Sequence, residues 1–392
     1  MSIARNLFFT FIGLIAFCFL WSSLFRPDVE TEPLSFSPEE KEEVEKAREV
    51  VFSEEDRKPV WVDVDYSEGG AASWFPKGEP PLLQPLVEEG ILPPVEERVG
   101  PEPVVYRGVD GIGNHGGTLV TARNSKRNVG TFGSFYAGDM LVRFSPTGEP
   151  VVPHIAKSWE IRDGGREYIF HLRKGMRWSD GHPFTADDIV YYWKHEKQDP
   201  NVSTPSRKLM LHRGKEGTIE KIDDYTVAFR FEDPNSLLLG RLAGPAGKEI
   251  CGSPAHYLRQ YHPTLGDPEL IEAAMEAWQM PSRRALYSKL KEWDNPEHPR
   301  LWPFVFRSWK GTPPYSWVRN PYYYAVDTEG NQLPYFDRYL LTLKNQDLIP
   351  IAASNGELPL TGGISMEHYT IVMANREKHN YEIYYHGAGD GS

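Results

Sequence analysis

Two adjacent carboxylates, Asp187 and Asp188, are the pattern in this 392-residue sequence that most invites a chemical reading. Paired carboxylates divide general acid and base work when their surroundings hold their pKa values apart. A carbohydrate hydrolase needs two of them facing each other roughly 5–10 Å apart across a cleft. Here the pair falls in Thr185-Ala186-Asp187-Asp188, where the threonine is an N-cap and the acids occupy the first turn of a helix. Capping and the helix dipole explain both acids with no reaction required. Other reactive residue types offer less. The twelve histidines show no HExxH or His-x-His cluster, and Lys194-His195-Glu196 reads as a solvated helix end. Two cysteines, Cys18 and Cys251, are too few for a disulfide framework or a four-cysteine zinc site. Cys251 has no His or Asp motif nearby to make it a nucleophile. Gly111 to Gly117 (GIGNHGG) is glycine-rich, but no GK[ST] follows and no helix opens on it, so it is no phosphate cradle. The sequence therefore predicts no catalytic residue, no metal site and no cofactor.

The elements that position these residues are partly legible. Thr118 to Ala122 reads as a strand. Trp159 to Arg162, then Asp163-Gly164-Gly165, then Arg166 to Arg173 (REYIFHLR) is a β-hairpin around an Asp-Gly turn. A second hairpin reads Thr218 to Ile222, turn Asp223-Asp224, then Tyr225 to Phe231. The helix capped by Thr185 continues through Ile189, Val190, Tyr192 and Trp193. Helical patterns follow at about 267–279 and 282–293, strands at 315–319, 338–344 and 381–385, and short helices near 347–354 and 366–378. Hairpins and helices mix without a strict βαβ rhythm, which predicts an α/β fold of the mixed α+β kind.

Charge is unevenly distributed. The chain carries a net −12, which argues against nucleic acid as a partner. Residues 28–102 hold 21 Asp/Glu against 7 Lys/Arg, a net of −14, so the remainder is close to neutral. That segment also carries Pro76, Pro80, Pro81, Pro85, Pro93 and Pro94 and reads as an acidic, Pro-rich, solvated stem. Ser37-Pro38-Glu39-Glu40 starts a helix within it. Ahead of the stem, Leu7 to Phe25 is an uncharged apolar run of 19 residues. At 1.5 Å per residue it measures about 28 Å, close to the hydrocarbon thickness of a bilayer. Arg5 before it fits a cytoplasmic N-terminus. A cleaved signal would want a small-x-small site, and the exit Leu20-Trp21-Ser22-Ser23-Leu24-Phe25 is bulky. Phe17 before Cys18 is likewise unlike a lipoprotein signal. Residues 1–27 therefore read as an N-terminal membrane anchor or signal, with an uncleaved transmembrane helix favoured and the rest of the chain exported on either reading.

One long stretch resembles a known family. Pro153-His154-Ile155-Ala156-Lys157-Ser158-Trp159-Glu160-Ile161, then Tyr168 to Gly181 (YIFHLRKGMRWSDG), then Pro183 to Val190 (PFTADDIV) is similar to extracytoplasmic solute-binding proteins of peptide- and nickel-type ABC importers, the bacterial solute-binding protein family 5. Met140-Leu141-Val142-Arg143 with Gly148-Glu149-Pro150 fits as well. So do Arg319 to Tyr324 (RNPYYY), Gly330 to Asp337 (GNQLPYFD) and Asn355-Gly356-Glu357-Leu358. The likeness covers about 117–231 and 303–392, with 243–300 resembling an insertion. The best-matched motif also has a physical reading of its own. Trp159, Tyr168, Phe170, Leu172 and Trp178 bury one hairpin face, and Gly175 and Asp180-Gly181 supply turns, so it identifies a fold without being the ligand site.

The resemblance implies a periplasmic-binding-protein-like, two-lobed fold closing about a hinge. It implies a substrate-binding component, not an enzyme, that takes oligopeptides or similar small solutes and delivers them to ABC permease subunits. The anchor would hold it at the cell inner membrane with its bulk in the periplasm. On this reading residues 103–345 form the first lobe, with a small subdomain at about 126–217 and the insertion at about 243–300. Residues 346–392 begin a second large lobe that is mostly missing, so the chain is expected to be a C-terminally truncated fragment. First-lobe ligand contacts in the family come largely from the segment after the first strand, which here points to Asn124, Asn128 and Tyr136. Trp309, just before the Gly311 to Tyr315 segment, is a fourth ligand-binding candidate. Two other readings compete: a membrane-anchored interaction module that kept the lobe but lost transport, and an exported carbohydrate-active enzyme.

Overall fold

In the computed structural model, residues 37, 38, 42, 60–108, 111–125, 140–145, 150–202, 209–308, 311–361 and 364–383 are described. The chain divides into two compact units, Lys58–Glu382 and Met1–Arg57 with Ile383–Ser392. Among the described residues every strand belongs to the first unit. In chain order they are β1 (Val104–Tyr106), β2 (Thr118–Arg123), β3 (Val142–Phe144), β4 (Val151–Pro153), β5 (Ala156–Arg162), β6 (Glu167–Leu172), β7 (Leu211–His212), β8 (Lys215–Glu216), β9 (Thr218–Asp223), β10 (Thr226–Arg230), β11 (Phe304–Phe306), β12 (Tyr315–Arg319), β13 (Ala325–Asp327) and β14 (Arg338–Leu343). Strands 3 and 4 and strands 7 and 8 make short hairpins, and β1 pairs parallel with β13. The rest form two four-stranded sheets.

The first sheet has the order β5-β6-β10-β9 and is antiparallel throughout. It is built from the two predicted hairpins. Asp163–Gly165 closes the first as a tight turn, with Gly164 and Gly165 at positive φ. Pleating sends Trp159, Phe170 and Val227 to the same face as Tyr168, Phe229 and Ile219. That face closes on Trp178, Phe184, Ile189 and Trp193 to make the main core. The opposite face carries exposed ion pairs, Glu160 with Arg162 and Arg230 with both Glu167 and Glu220. The helix Ala186–Tyr191 covers the sheet and opens with a full capping box. Thr185 accepts from the first-turn backbone, while Asp188 returns a bond to the Thr185 amide.

The second sheet has the order β11-β12-β14-β2, with β2 parallel to β14 and the other pairs antiparallel. Phe306, Trp317, Tyr339 and Leu119 lie in register across all four strands. Trp293 packs on this aromatic face, its ring centroid 5.7 Å from that of Trp317. Ala122 on the opposite face is buried against Ile349 and Ala352 of the helix Leu348–Ser354.

Three expectations need correction. Residues 60–102 are not a solvated stem. Trp61 bridges to Tyr106, and Ala72, Trp74, Val95 and Val99 bury against Val105 and Val326. The acidity that suggested a spacer sits on exposed positions such as Glu88, Glu89, Glu96 and Glu97, while Val95 and Val99 share the inner face of one short helix. Second, Tyr381–Ile383 is not in a strand, and the Tyr381 hydroxyl instead donates to the Val372 carbonyl. The preceding segment is broken into Met366–His368, Tyr369–Ala374 and Arg376–His379, not one helix. Third, Glu196 does not lie at a solvated helix end but is 2% exposed. The predicted apolar span Leu7 to Phe25 lies outside the described residues. Among those described, no helix is long and apolar enough to cross a membrane.

One contact shows how tightly residues 60–102 seat. Gly100 has φ 84° and ψ 174°, and a Cβ placed there would lie 2.7 Å from the Gly175 Cα. Gly175 is itself at φ +85°, and its own Cβ would meet Gly100 at 2.8 Å. Two glycines are needed because two backbones touch. Gly100→Ala is expected to lower stability by about 2–4 kcal/mol, from backbone strain and overpacking together. Gly90→Ala, at φ +72° with nothing within 4 Å of its Cβ, carries strain alone. Urea midpoints of the two variants check this, and equal losses would show that the Gly100–Gly175 contact is loose.

Candidate functional site

The register of the second sheet fixes what meets at one of its ends. Strand β2 runs parallel to β14, with Thr121 opposite Leu341 and Arg123 opposite Leu343. Strand β12 runs against β14, so its first residue, Tyr315, is level with the same Leu341. The exit of β2 toward Asn124 and the turn from β11 into β12 therefore arrive at one end of the sheet. Asn124 stands there exposed. Asn128, Tyr136 and Trp309 lie outside the described residues. The chain flanking Trp309 is placed: Arg307 N–H donates to the Ser316 carbonyl, and the Ser308 hydroxyl donates to the Thr312 carbonyl at 2.9 Å. The topology thus brings Asn124 and the described residues on either side of 309–310, Ser308 and Thr312, to a common end of the sheet.

Other groups gather at this end that residue-by-residue reading missed. Thr121 is 1% exposed, and its hydroxyl has no hydrogen-bond partner among the described residues. A buried hydroxyl without a partner costs free energy. The Arg123 guanidinium reaches back to the Ala122 carbonyl at 3.2 Å. The Lys344 amide continues the ladder to the Arg123 carbonyl, and its ammonium pairs with Glu357 at 3.2 Å. The aromatic face of Tyr315, Trp317 and Tyr339 backs this polar rim. Trp293 covers that aromatic face, so the exposed groups at this end are the Asn124 amide and the Lys344–Glu357 pair, which suit a polar solute held by hydrogen bonds. The signal available in the sequence was the alternation of β2, which places Thr121 on the face of Leu119.

The residues that first suggested catalysis are occupied otherwise. Asp188 is buried, accepting from Thr185 N at 3.0 Å and Ala255 N at 2.9 Å, and burial raises its pKa despite those bonds. Asp187 pairs with Lys221 at 2.7 Å. Both carboxylates hold backbone and neighbouring strands, as the capping reading expects. Cys251 is buried. Among the described residues no group of three or more His, Cys, Asp or Glu side chains could hold a metal ion.

Comparison with known proteins gives these features a context. The model of the bacterial extracellular solute-binding proteins, family 5 (middle), matches residues 150–387. The periplasmic alpha-galactoside-binding protein of Rhizobium meliloti (strain 1021) is 30% identical over 301 residues, covering 70% of this chain and 40% of that protein. Among solved structures, an oligopeptide-binding protein OppA superposes with a TM-score of 0.70 at 34% identity, covering 79% of this chain and 49% of its own. The periplasmic binding protein MelB of Agrobacterium fabrum C58, solved with stachyose, gives 0.63 at 25% identity, covering 81% and 48%. The chain thus spans about half or less of the length of each of these relatives.

Proposed function

Because the chain belongs to the family 5 bacterial extracellular solute-binding proteins, we propose that it is the solute-binding component of an ABC importer, taking peptides or similar small solutes outside the cytoplasmic membrane and presenting them to permease subunits. The observation that carries this reading is the convergence of the β2 exit, at Asn124, and the connection from β11 to β12 at one end of the aromatic sheet. Asn128, Tyr136 and Trp309 complete the ligand contacts. Residues 103–345 act as one lobe, with the subdomain at 126–217 and the insertion at 243–300, and 346–392 lead into the other. The Leu7 to Phe25 span anchors the chain in the inner membrane. No residue performs chemistry, in keeping with relatives that are named as binding proteins.

A second ligand class has an observation in its favour. The match to the alpha-galactoside-binding relative runs over 301 residues, whereas that to the Escherichia coli (strain K12) dipeptide-binding protein runs over 116. Oligosaccharides therefore stand beside peptides as ligands. Titration of the full chain with tri- to pentapeptides, and separately with stachyose, followed by amide NMR, tests both. Shifts clustered at Thr121–Asn124 and around 305–316 are expected with peptides and to be weakened by Asn124→Ala. The same cluster with stachyose alone would assign the sugar class. Shifts elsewhere, or none with either solute, would remove the site.

A further inference from the structure

We propose that His154 is an acid-sensitive latch that fastens residues 60–106 to the body of the fold. Its imidazole is 1% exposed and spans three elements. Nδ1 lies 2.9 Å from the Met140 carbonyl, so it carries the proton and donates. Nε2 lies 3.3 Å from the Tyr324 hydroxyl and accepts from it, and the Tyr324 ring meets the imidazole edge-on at 5.8 Å. The His154 carbonyl accepts from Nε of Arg173, whose Nη1 donates to the Pro103 carbonyl at 2.9 Å and to the Tyr66 hydroxyl. The Arg173 guanidinium also sits over the Tyr66 ring at 5.5 Å. One unbroken chain of contacts therefore runs from Tyr324 through His154 and Arg173 to Tyr66 and Pro103.

The charges around the ring decide what acid does. Arg143 faces it from β3, where its own Nη1 reaches the Tyr106 hydroxyl at 3.4 Å, and Arg173 faces it from the end of β6. Tyr324 is the titratable group on the side of β13. Among the described residues no carboxylate hydrogen-bonds the ring. The nearby Glu102 is engaged by Lys157 at 2.6 Å and by the Lys174 amide at 2.7 Å. Burial, then Arg143 and Arg173, holds the imidazole well below its ordinary range. A folded-state pKa below the unfolded value gives stability that is complete above about pH 6.5 and is lost as pH falls from there toward the folded pKa. Protonation at Nε2 removes the acceptor for Tyr324 and sets a third cation beside two guanidiniums. The same step repels Arg173, the group that grips Tyr66 and Pro103.

Hydrogen exchange of the full chain at pH 7.0 and 5.0, corrected for intrinsic rates, tests the latch. Between about pH 6.5 and 5.0 the linkage allows a loss of up to about 30-fold in the opening equilibrium. Amides of Trp61–Tyr106 are expected to lose about tenfold or more in protection, while the β6–β10 ladder keeps its protection. His154→Gln, which can donate to Met140 and accept from Tyr324 but cannot titrate there, is expected to abolish the acid effect. Equal acid sensitivity in His154→Gln overturns the proposal, as does a loss spread evenly over the chain. The buried His298, held low by burial and by Arg300 and Lys291, would report in amides of 243–300 and is separated by position. Should the variant not fold, a histidine-ring NMR titration of the unaltered chain decides. His154 must stay neutral below pH 6 in the folded state, and titration near 6.5 would overturn the latch.

Discussion

Arg98→Met is expected to cost about 3–5 kcal/mol of folding free energy, because it leaves a half-buried carboxylate and several carbonyls without their donor. Arg98 is fully buried and its fork is fully used. It grips both oxygens of Glu79 at 2.5 and 3.2 Å, the Pro93 carbonyl at 2.5 Å, the Pro321 carbonyl at 2.8 Å and the Gln332 amide oxygen at 3.2 Å. Gln332 in turn donates to the Pro321 and Tyr323 carbonyls. One side chain thus ties residues 79–98 to the loop before β13, and a point charge such as Lys would not reproduce the planar geometry. Denaturant midpoints at fixed m check the size. Glu79→Gln, which keeps an acceptor near the fork, should lose only about 1–2 kcal/mol, since the carboxylate is 20% exposed. A loss below about 1 kcal/mol for Arg98→Met would mean that apolar burial of Val95, Val99 and Trp74 alone seats this segment.

That dependence explains which parts of the fold were legible in sequence. The β5–β6 and β9–β10 hairpins and the Thr185 cap are local: alternation, an Asp-Gly turn and a capping box lie within a few residues of what they specify. The likeness to a solute-binding family rests on those same local motifs. Residues 60–102 are decided by partners far along the chain, Pro321 and Gln332 for Arg98 and Val326 for the Val95–Val99 face. Proline and acid content describe the exposed half of that segment and are silent about the other half. The β1–β13 and β2–β14 pairings are equally non-local, each joining strands more than two hundred residues apart. The candidate site divides the same way. Asn124 could be named from its position after a strand, but the level at which the β11–β12 turn meets it depends on register, which no single segment contains.

The second large effect concerns Glu196, where sequence reading expected a solvated helix end. Glu196→Ala is expected to lose about 3–5 kcal/mol, close to the Arg98 variant. The carboxylate lies on the wide turn Tyr192–Lys197 and accepts from the Tyr287 hydroxyl at 2.7 Å, from the Ser253 hydroxyl at 2.9 Å and from the Lys291 ammonium. Tyr287 is buried and shares a further bond with Tyr191 at 3.0 Å, and burial and the Glu196 charge drive its phenol strongly upward, so it stays protonated as a donor. Four side chains from 253–291 and from the helix after Thr185 are thereby locked in one network. Removing the acceptor strands Tyr287 and Lys291 together, whereas Lys291→Met strands the carboxylate. Because each single variant leaves the other's charge unpaired, the combination Glu196→Leu with Lys291→Met is expected to cost less than the sum of Glu196→Leu and Lys291→Met alone, by about 2 kcal/mol or more. A double-mutant cycle on melting free energies measures that coupling. Additive losses would show that the ammonium, 29% exposed, is held by water and not by Glu196. The cost of Glu196→Ala would then come from the two hydroxyls alone.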